Sequence, residues 1–182
     1  MRSGRPRLLR LSALLAASAV AGMGCASAGL AVARALPDGG SDCPGPLVPP
    51  GALADDFVLR QSARVQADQL DWHLTLVTQK RGDMLVLVGL ETLGGKVFVV
   101  TQHGGDVVVE RPRGRLPLPP ENLLRDVHRA RFVPHDASFE AGVEVERASD
   151  GVVTIRHANC GYTTTLVTLE ETTLPSRSAD SP

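Results

Sequence analysis

The stretch GLETLGGKV, residues 89–97, contains residue types that bind phosphate groups in other proteins. A glycine, four further residues, two more glycines and Lys96 approximate the spacing of a phosphate-binding loop. Such a loop also needs a Ser or Thr after the lysine to hold magnesium, and a helix whose N-terminus faces the phosphate. Here Val97 follows the lysine, and the segment VFVVTQ has the composition of a strand. The stretch therefore predicts the turn of a β-hairpin and not a nucleotide site.

Other residues with catalytic or metal-binding chemistry are scattered along the chain. The histidines, none of which pair at helical or zinc-loop spacing, are His73, His103, His128, His135 and His157. The sequence has no Gly-x-Ser-x-Gly motif and no local Cys/His signature of a nucleophile. Asp55 and Asp56 are adjacent, so on a strand they would point to opposite faces, and we expect them in a solvated lead-in. These patterns predict no enzymatic activity, no metal and no cofactor.

The first 24 residues are typical of an export signal peptide. They begin with the basic segment MRSGRPRLLR and continue with LSALLAASAVAGMG, an apolar segment too short to span a bilayer. Removing the four arginines of this signal lowers the number of basic residues from 19 to 15 against 20 acidic ones, a net charge of −5. A mildly acidic protein is a poor candidate for binding nucleic acid, so we expect no such partner.

Two processing routes fit the end of this signal. In the first, small Gly24 precedes Cys25, as in bacterial lipoprotein signals, and Cys25 becomes the site of lipidation. Ala26, rather than Asp, then follows the anchor, which under the usual sorting logic of lipoproteins predicts the periplasmic side of the outer membrane. In the second route, cleavage after Ala28 leaves a soluble periplasmic protein. Both routes export the protein.

The cysteine count agrees with export. Either route removes Cys25 from the free thiols and leaves Cys43 and Cys160. An even pair in an oxidising compartment predicts a disulfide bond, and closing so long a loop would stabilise the fold by roughly 3–5 kcal/mol. The alternative is two separate buried thiols.

Residues 52–171 are predicted to form the folded domain, between an Ala/Gly/Pro-rich tether at 25–51 and a polar tail at 172–182. Short segments rich in Val, Thr, Ile and Leu recur in it: FVLRQSARVQ, LDWHLTLVTQ, DMLVLVGLE, KVFVVTQ, DVVVERP, AGVEVER, GVVTIRHA and YTTTLVTLE. The turn sequences KRGD, LGGK, HGGD and SDG separate most of them. This regular spacing predicts an antiparallel meander.

One segment, LPPENLLRDVHRARF, has the pattern of an amphipathic helix. Its two prolines suit a helix start, and the glutamate that follows favours the first turn. The apolar residues that fall on one side at 3.6 residues per turn are Leu123, Leu124, Val127 and Ala130. The charged residues that stack on the other side are Glu121, Arg125 and Arg129. The predicted fold class is therefore α+β, with one amphipathic helix laid on an antiparallel sheet.

The segments MLVLVGL and VFVV are apolar on both faces of a strand. Since one face of a small antiparallel sheet normally meets water, a sheet that is apolar on both faces needs a cover or a ligand. One interpretation is an acyl-chain cavity, whose lining by strand alternation is Leu85, Leu87, Val97, Val99, Leu123 and Val127. In the alternative, the helix and the N-terminal segment cover one face, while the other meets a partner or is hidden by strand curvature.

A group of basic residues surrounds the predicted helix: Arg111, Arg113, Arg115, Arg125, Arg129 and Arg131. The last three are candidates to bind anionic lipid headgroups or a partner, at about 1 kcal/mol per basic group near an anionic surface. The alternative is a solvated helix face on which Glu121 pairs with Arg125 and contributes only tenths of a kcal/mol.

Three segments resemble a widespread family of small bacterial lipoproteins of unknown function: LVLVGLETLGGKVFVVTQHGG, LPLPPENLLRDVHRARF and CGYTTTLVTLE. The likeness covers residues 53–170 in the order and spacing of its segments. That family is similar to the LolA/LolB-like fold of lipoprotein carriers and outer-membrane receptors, an open antiparallel half-barrel closed by helices around an apolar cavity. The resemblance implies an open half-barrel here, and the chain departs from the family pattern in having fewer strands and only one clear helix.

Residues and resemblance together predict a cell-envelope lipoprotein that is attached to the membrane through Cys25. Its half-barrel is expected to bind a lipid or an acyl chain without covalent chemistry. The alternative is an accessory structural lipoprotein with a filled core that binds another envelope protein.

Overall fold

The computed structural model describes residues 43–110 and 116–175. Its strands are β1 (Asp56–Ala67), β2 (Leu70–Arg81), β3 (Met84–Leu90), β4 (Lys96–His103), β5 (Asp106–Glu110), β6 (Val143–Arg147), β7 (Val152–His157) and β8 (Tyr162–Leu174). A helix, α1 (Pro120–Arg131), connects β5 to β6, and a short 3₁₀ turn, Pro50–Ala52, precedes β1. The predictions outside the described residues are the signal peptide, the lipidation site at Cys25, and Arg111, Arg113 and Arg115.

All eight strands belong to one sheet, in the order β5-β4-β3-β2-β1-β8-β7-β6 with antiparallel neighbours. The chain meanders from β1 out to β5, returns through α1, and builds the other half of the sheet from β6 back to β8. The edges β5 and β6 do not pair with each other, so the sheet stays open. The predicted α+β class, an open antiparallel half-barrel with one helix, is confirmed for the described residues.

The stretch GLETLGGKV forms the hairpin between β3 and β4, as predicted. The amide of Glu91 donates to the carbonyl of Gly95 at 2.9 Å, and the amide of Gly94 donates to the carbonyl of Glu91 at 2.7 Å. Gly94 has a φ of +81°, a left-handed conformation that glycine adopts without steric cost. Strand rather than helix follows the lysine, so the geometry of a phosphate loop is absent from this stretch.

The inner face of the sheet, which faces α1, holds the hydrophobic core. Val100 pairs with Leu87, so Val100 and not Val99 shares the inner face. A β-bulge at the end of β3 shifts the register, and the consecutive residues Val97 and Phe98 are both buried. One extra residue in a strand moves every later side chain to the opposite face of the sheet. Strict alternation counted from Val97 therefore assigns Val99 to the inner face, although it lies on the outer face. The prediction that Val99 lines the concave face is therefore wrong.

Helix α1 begins with Pro120 after Pro119, and Leu123, Leu124 and Val127 are fully buried against the sheet. Burial does not stop at this apolar side, because the polar residues Asn122, Asp126, His128 and Arg129 are buried as well. The helix is thus enclosed on more sides than an amphipathic surface helix, and the predicted solvated face is largely covered.

The extra cover comes from residues 43–48, which we call the strap. The amide of Val48 donates to Nδ1 of His128 at 3.0 Å, and Nη1 of Arg125 donates to the carbonyl of Gly45 at 2.6 Å. A Cβ added at Gly45 would overlap the guanidinium of Arg129, so glycine permits this close approach. The strap also reaches the sheet, because the carbonyl of Val48 accepts a hydrogen bond from Nε2 of Gln102 on β4 at 3.1 Å, so it ties α1 to β4.

A disulfide bond joins Cys43, at the start of the strap, to Cys160 in the β7–β8 turn, the pair that the cysteine count indicates. Two boundaries differ from those read in the sequence. The segment 25–51 was predicted to be a tether, but it is packed on the domain from Cys43 onward. Strand β8 continues to Leu174, beyond the predicted domain end at 171.

Candidate ligand-binding site at the end of the sheet

A pocket of about 670 Å³ lies where the β1–β2 and β7–β8 turns end the sheet, and we call it the sheet-end pocket. One wall is the last row of inner-face residues. Ala67 pairs with Leu70, His157 pairs with Tyr162, and the β1–β8 register brings these two pairs side by side. All four line the pocket and are largely buried, so this wall is apolar and aromatic.

The neighbouring row of outer-face residues forms the second wall, and its character is polar. Cross-strand pairing runs from Asp71 to Gln66, Thr163, Arg156 and Glu144, and all five residues line the pocket. The pocket therefore wraps around the end of the sheet. It offers an apolar row and a charged row to the same ligand.

Beneath the apolar row, a buried carboxylate holds the site together. Oδ1 of Asp126 accepts hydrogen bonds from Nε2 of His157 at 2.8 Å and from Nη1 of Arg129 at 2.9 Å. Oδ2 accepts one from the hydroxyl of Thr164 at 2.7 Å. Asp126, Arg129 and Thr164 have no exposed surface. Because water does not reach the two charged groups, each charge is compensated by the opposite charge of its partner. This cluster links α1 to β7 and β8.

The rings of His157 and Tyr162 are stacked, with centroids 4.2 Å apart and planes inclined by 24°. Burial, reinforced by the negative charge of Asp126, raises the pKa of Tyr162 above its ordinary value. The phenol is therefore neutral at physiological pH. Since Asp126 fixes the imidazole, both rings form a rigid wall of the pocket.

The hydroxyl of Thr164, beside the buried carboxylate, is not hydrogen-bonded to His157. An activated hydroxyl must be hydrogen-bonded to its base, but the hydroxyl of Thr164 donates to Asp126 and not to His157. Within the described ranges, no group of three or more His, Cys, Asp and Glu side chains is placed to hold a metal ion. What the pocket offers a ligand is shape, an apolar surface and polar contacts.

The predicted cavity lining is instead part of the hydrophobic core. Leu85, Leu87, Leu123 and Val127 have an exposed fraction of 0%, and that of Val97 is 1%. None of them lines the sheet-end pocket or the smaller pocket of about 300 Å³ beside Phe57 and Phe132. These side chains meet across the sheet and α1 because the helix lies directly on the strands that carry them.

The three predicted headgroup-binding arginines do not form one exposed patch. Arg129 is fully buried and pairs with Asp126, so it is not available to a headgroup. Arg125 donates to the strap, and Arg131 pairs with Glu171 on β8. Asp56, expected in a solvated lead-in, begins β1 and pairs with the buried Lys80 at 3.0 Å.

The residues of the sheet-end pocket were not identified from the sequence. Asp126 had one local signal, because it lies three residues after Leu123 at the margin of the apolar stripe of α1. His157 and Thr164, its partners, are 31 and 38 residues away, and no local pattern connects them to the helix. Only the antiparallel register of β7 and β8 brings them together.

The chain was compared with protein families and with curated proteins. Residues 58–157 match the model of a family described as a protein of unknown function (DUF3261), and no curated protein matches the chain. Within the residues that the structure describes, no helix is long and apolar enough to cross a membrane. The family match runs from β1 to the end of β7, includes α1, and covers more than half of the chain. The chain therefore belongs to the DUF3261 family.

Proposed function

We propose that this protein is a cell-envelope lipoprotein whose sheet domain binds a lipid or an acylated ligand without covalent chemistry, in the sheet-end pocket. The observation that carries the proposal is the apolar row of Leu70, Ala67 and Tyr162 beside a charged row within one pocket. An amphipathic ligand has the matching distribution of surface, since its chain is apolar and its headgroup is polar.

The size of the pocket supports the proposal. Its volume of about 670 Å³ lies inside the range of roughly 300–1,000 Å³ that small-molecule sites occupy. The acyl portion of the ligand would lie against Leu70, Ala67 and the stacked rings, and the headgroup would meet Arg156 and Gln66. Because His157 and Tyr162 are already fixed, binding requires little reordering of this wall.

The proposed cellular setting rests on the N-terminal sequence. Lipidation of Cys25 would attach the domain to the periplasmic side of the outer membrane, with cleavage after Ala28 and a soluble periplasmic protein as the alternative. A carrier-like role of the LolA/LolB kind agrees with an open sheet and an amphipathic pocket. We expect no enzymatic activity and no nucleic-acid partner.

The test uses Trp72, the single tryptophan of the chain, which lies on β2 two residues after Leu70. Its fluorescence is followed while the purified protein is titrated with a long-chain fatty acid and with a lysophospholipid. The blocking variant is Ala158→Phe, because Ala158 is an exposed turn residue that lines the pocket. The matched control is Ala148→Phe, in the exposed β6–β7 turn outside the pocket.

We expect saturable binding that Ala158→Phe weakens by about tenfold or more and that Ala148→Phe leaves unchanged. Equal binding by both variants would place the ligand elsewhere on the domain. No binding of either amphiphile by the unmodified protein would contradict the proposal.

A second function has its own supporting observation. Five of the six side chains predicted to line an acyl cavity, all except Val99, are buried core residues, as expected of a domain with a filled core. That favours an accessory structural lipoprotein that binds another envelope protein. It gains support if the titration fails while the domain recovers an envelope protein after cross-linking in intact cells.

A further inference from the structure

The outer face of the sheet, opposite α1, has an apolar surface that the proposed ligand site does not use. On β1 to β5, its exposed or half-buried valines, none of which belongs to the hydrophobic core, are Val58, Val77, Val86, Val88, Val99 and Val108. Val108 is the most exposed of these valines, at 63%. Among the described elements, α1 and the strap lie on the inner face, so neither covers these valines. A cluster of apolar side chains at the surface is a candidate interaction surface.

The register arranges this face symmetrically about β3. One cross-strand row runs from Arg60 on β1 through Val77, Val88 and Val99 to Glu110 on β5. Val88, on the middle strand, is flanked by one valine on each side and then by charges of opposite sign. Both charged residues are exposed.

A second row repeats the arrangement one pleat along the same strands. It runs from Val58 on β1 through Gln79, Val86 and Thr101 to Val108 on β5. Val86 again occupies β3, with a polar residue on each side and a valine at each end. Each row therefore reads the same from β1 to β5 as from β5 to β1 in the type of residue, apolar, polar or charged. The only difference is that the charge at one end of the first row is positive and at the other end negative.

We propose that a second copy of this chain packs on this face, with a two-fold axis parallel to β3. Such an axis exchanges β1 of one copy with β5 of the other, as an isologous interface requires. Val88 and Val86 then meet their own counterparts, and Val77 meets Val99 of the second copy. Arg60 of each copy faces Glu110 of the other, which makes the interface complementary in charge as well as in shape.

The geometry is that of two aligned sheets in a sandwich. Face-to-face sheets pack about 10 Å apart with their strands nearly aligned, so arginine and glutamate side chains at the two ends can span the gap. Five strands at about 4.8 Å spacing give a face only roughly 20 Å wide. That extent lies at the low end for specific interfaces, so the expected dimer is reversible and depends on protein concentration.

The proposal does not depend on the ligand site, and it is tested on the purified full chain by sedimentation velocity over a range of concentrations. The variant Val88→Arg places a charge at the centre of the interface. Arg60→Glu and Glu110→Arg each put like charges opposite one another, and the double variant R60E/E110R restores opposite charges. Glu146→Arg is the control, since Glu146 is an exposed residue on β6, at the edge of the sheet that lies beyond β1 from the valine rows.

We expect a monomer–dimer equilibrium that V88R abolishes and that each single charge reversal weakens by roughly tenfold. The double reversal should return the dissociation constant to within about threefold of the original, and E146R should leave it unchanged. The rescue distinguishes a lost contact from misfolding, because a misfolded single variant would not recover on a second reversal. A protein that is monomeric at all concentrations, or a dimer that is indifferent to V88R and both reversals, would overturn the proposal.

Discussion

Asp126 on α1 accepts a hydrogen bond from Nε2 of His157 on β7 at 2.8 Å, inside the protein where Asp126 has no exposed surface. The same carboxylate pairs with Arg129 and accepts from Thr164, so one residue of the helix holds two strands and a buried guanidinium. The pocket wall formed by the His157 and Tyr162 rings therefore depends on a residue that does not line the pocket.

Replacing Asp126 with Asn is predicted to destabilise the domain strongly. Arg129 would lose its buried carboxylate partner and keep the longer contact to the partly exposed Glu140 at 3.4 Å, and breaking a buried pair from one side costs about 3–5 kcal/mol. The free energy of unfolding, measured with urea by circular dichroism, checks this expectation.

Glu146→Gln is the matched comparison for Asp126→Asn. Glu146 pairs with Arg156 at 3.2 Å, but both side chains are more than half exposed. Exposed pairs of this kind contribute about 0–1 kcal/mol. If the two variants lost similar stability, the central role assigned to Asp126 would be incorrect.

The fold could be predicted from the sequence to a large extent because its elements carry local signals. β-branched segments and glycine turns indicated the strands, and the 3.6-residue period with two prolines indicated α1. The hairpin at residues 89–97 was predicted because Val97 begins a strand composition directly after the lysine. Each of these features depends on residues that are close together in the chain.

The site could not be predicted because its residues come together only in three dimensions. Asp126 and His157 are joined by register and not by spacing. Arg129 was expected to be exposed but is buried, because the strap covers the charged side of α1. A single glycine such as Gly45 gives no sign in the sequence that it will pack against this arginine. Val99 was misplaced because a bulge has no reliable signature in apolar strands.

Removing the disulfide is predicted to lower stability by about 4–5 kcal/mol, since Cys43 and Cys160 are 117 residues apart and the bond restricts a long unfolded loop. Thermal unfolding with and without a reductant measures the effect. The double variant C43S/C160S should match the reduced protein and should not respond to the reductant. A reductant-insensitive unfolding curve for the unmodified protein would argue against the bond.

Stability is predicted to fall as the pH drops from about 6.5 to about 4. Burial, and secondarily the positive charge of Arg125, lowers the pKa of His128 from 6.5 to about 4. Between these two pH values the unfolded chain binds a proton at His128 that the folded chain does not. The full stability is therefore present above pH 6.5, and the free energy of unfolding falls by about 3 kcal/mol as the pH drops to about 4. Unfolding by urea across this pH range measures the slope.

The variant His128→Gln should flatten this slope, although it also costs stability at pH 7 by disturbing the contacts to Val48 and Gln102. His103→Gln is the control, because His103 is exposed at the end of β4. A slope that persists in His128→Gln would show that another group causes the pH dependence.

Gly89→Ala is predicted to destabilise the sheet by roughly 1–3 kcal/mol, because a Cβ there would overlap the ring of Phe98 on the neighbouring strand. The second substitution Phe98→Leu should recover part of the loss caused by the first, since it removes the overlapping ring atoms. Gly105→Ala, at a position with open space around it, should change stability by less than about 0.5 kcal/mol. Equal effects of the two alanine variants on thermal unfolding would contradict this account.

The central claim, that the domain holds a lipid or an acylated ligand, is tested most directly by native mass spectrometry. The protein is purified from the periplasmic or membrane fraction of the exporting cell, and anything bound is identified after organic extraction. The account predicts a stoichiometric lipid or acyl adduct that is retained in Ala148→Phe and lost in Ala158→Phe. A bare protein mass that takes up neither added fatty acid nor added phospholipid would contradict it.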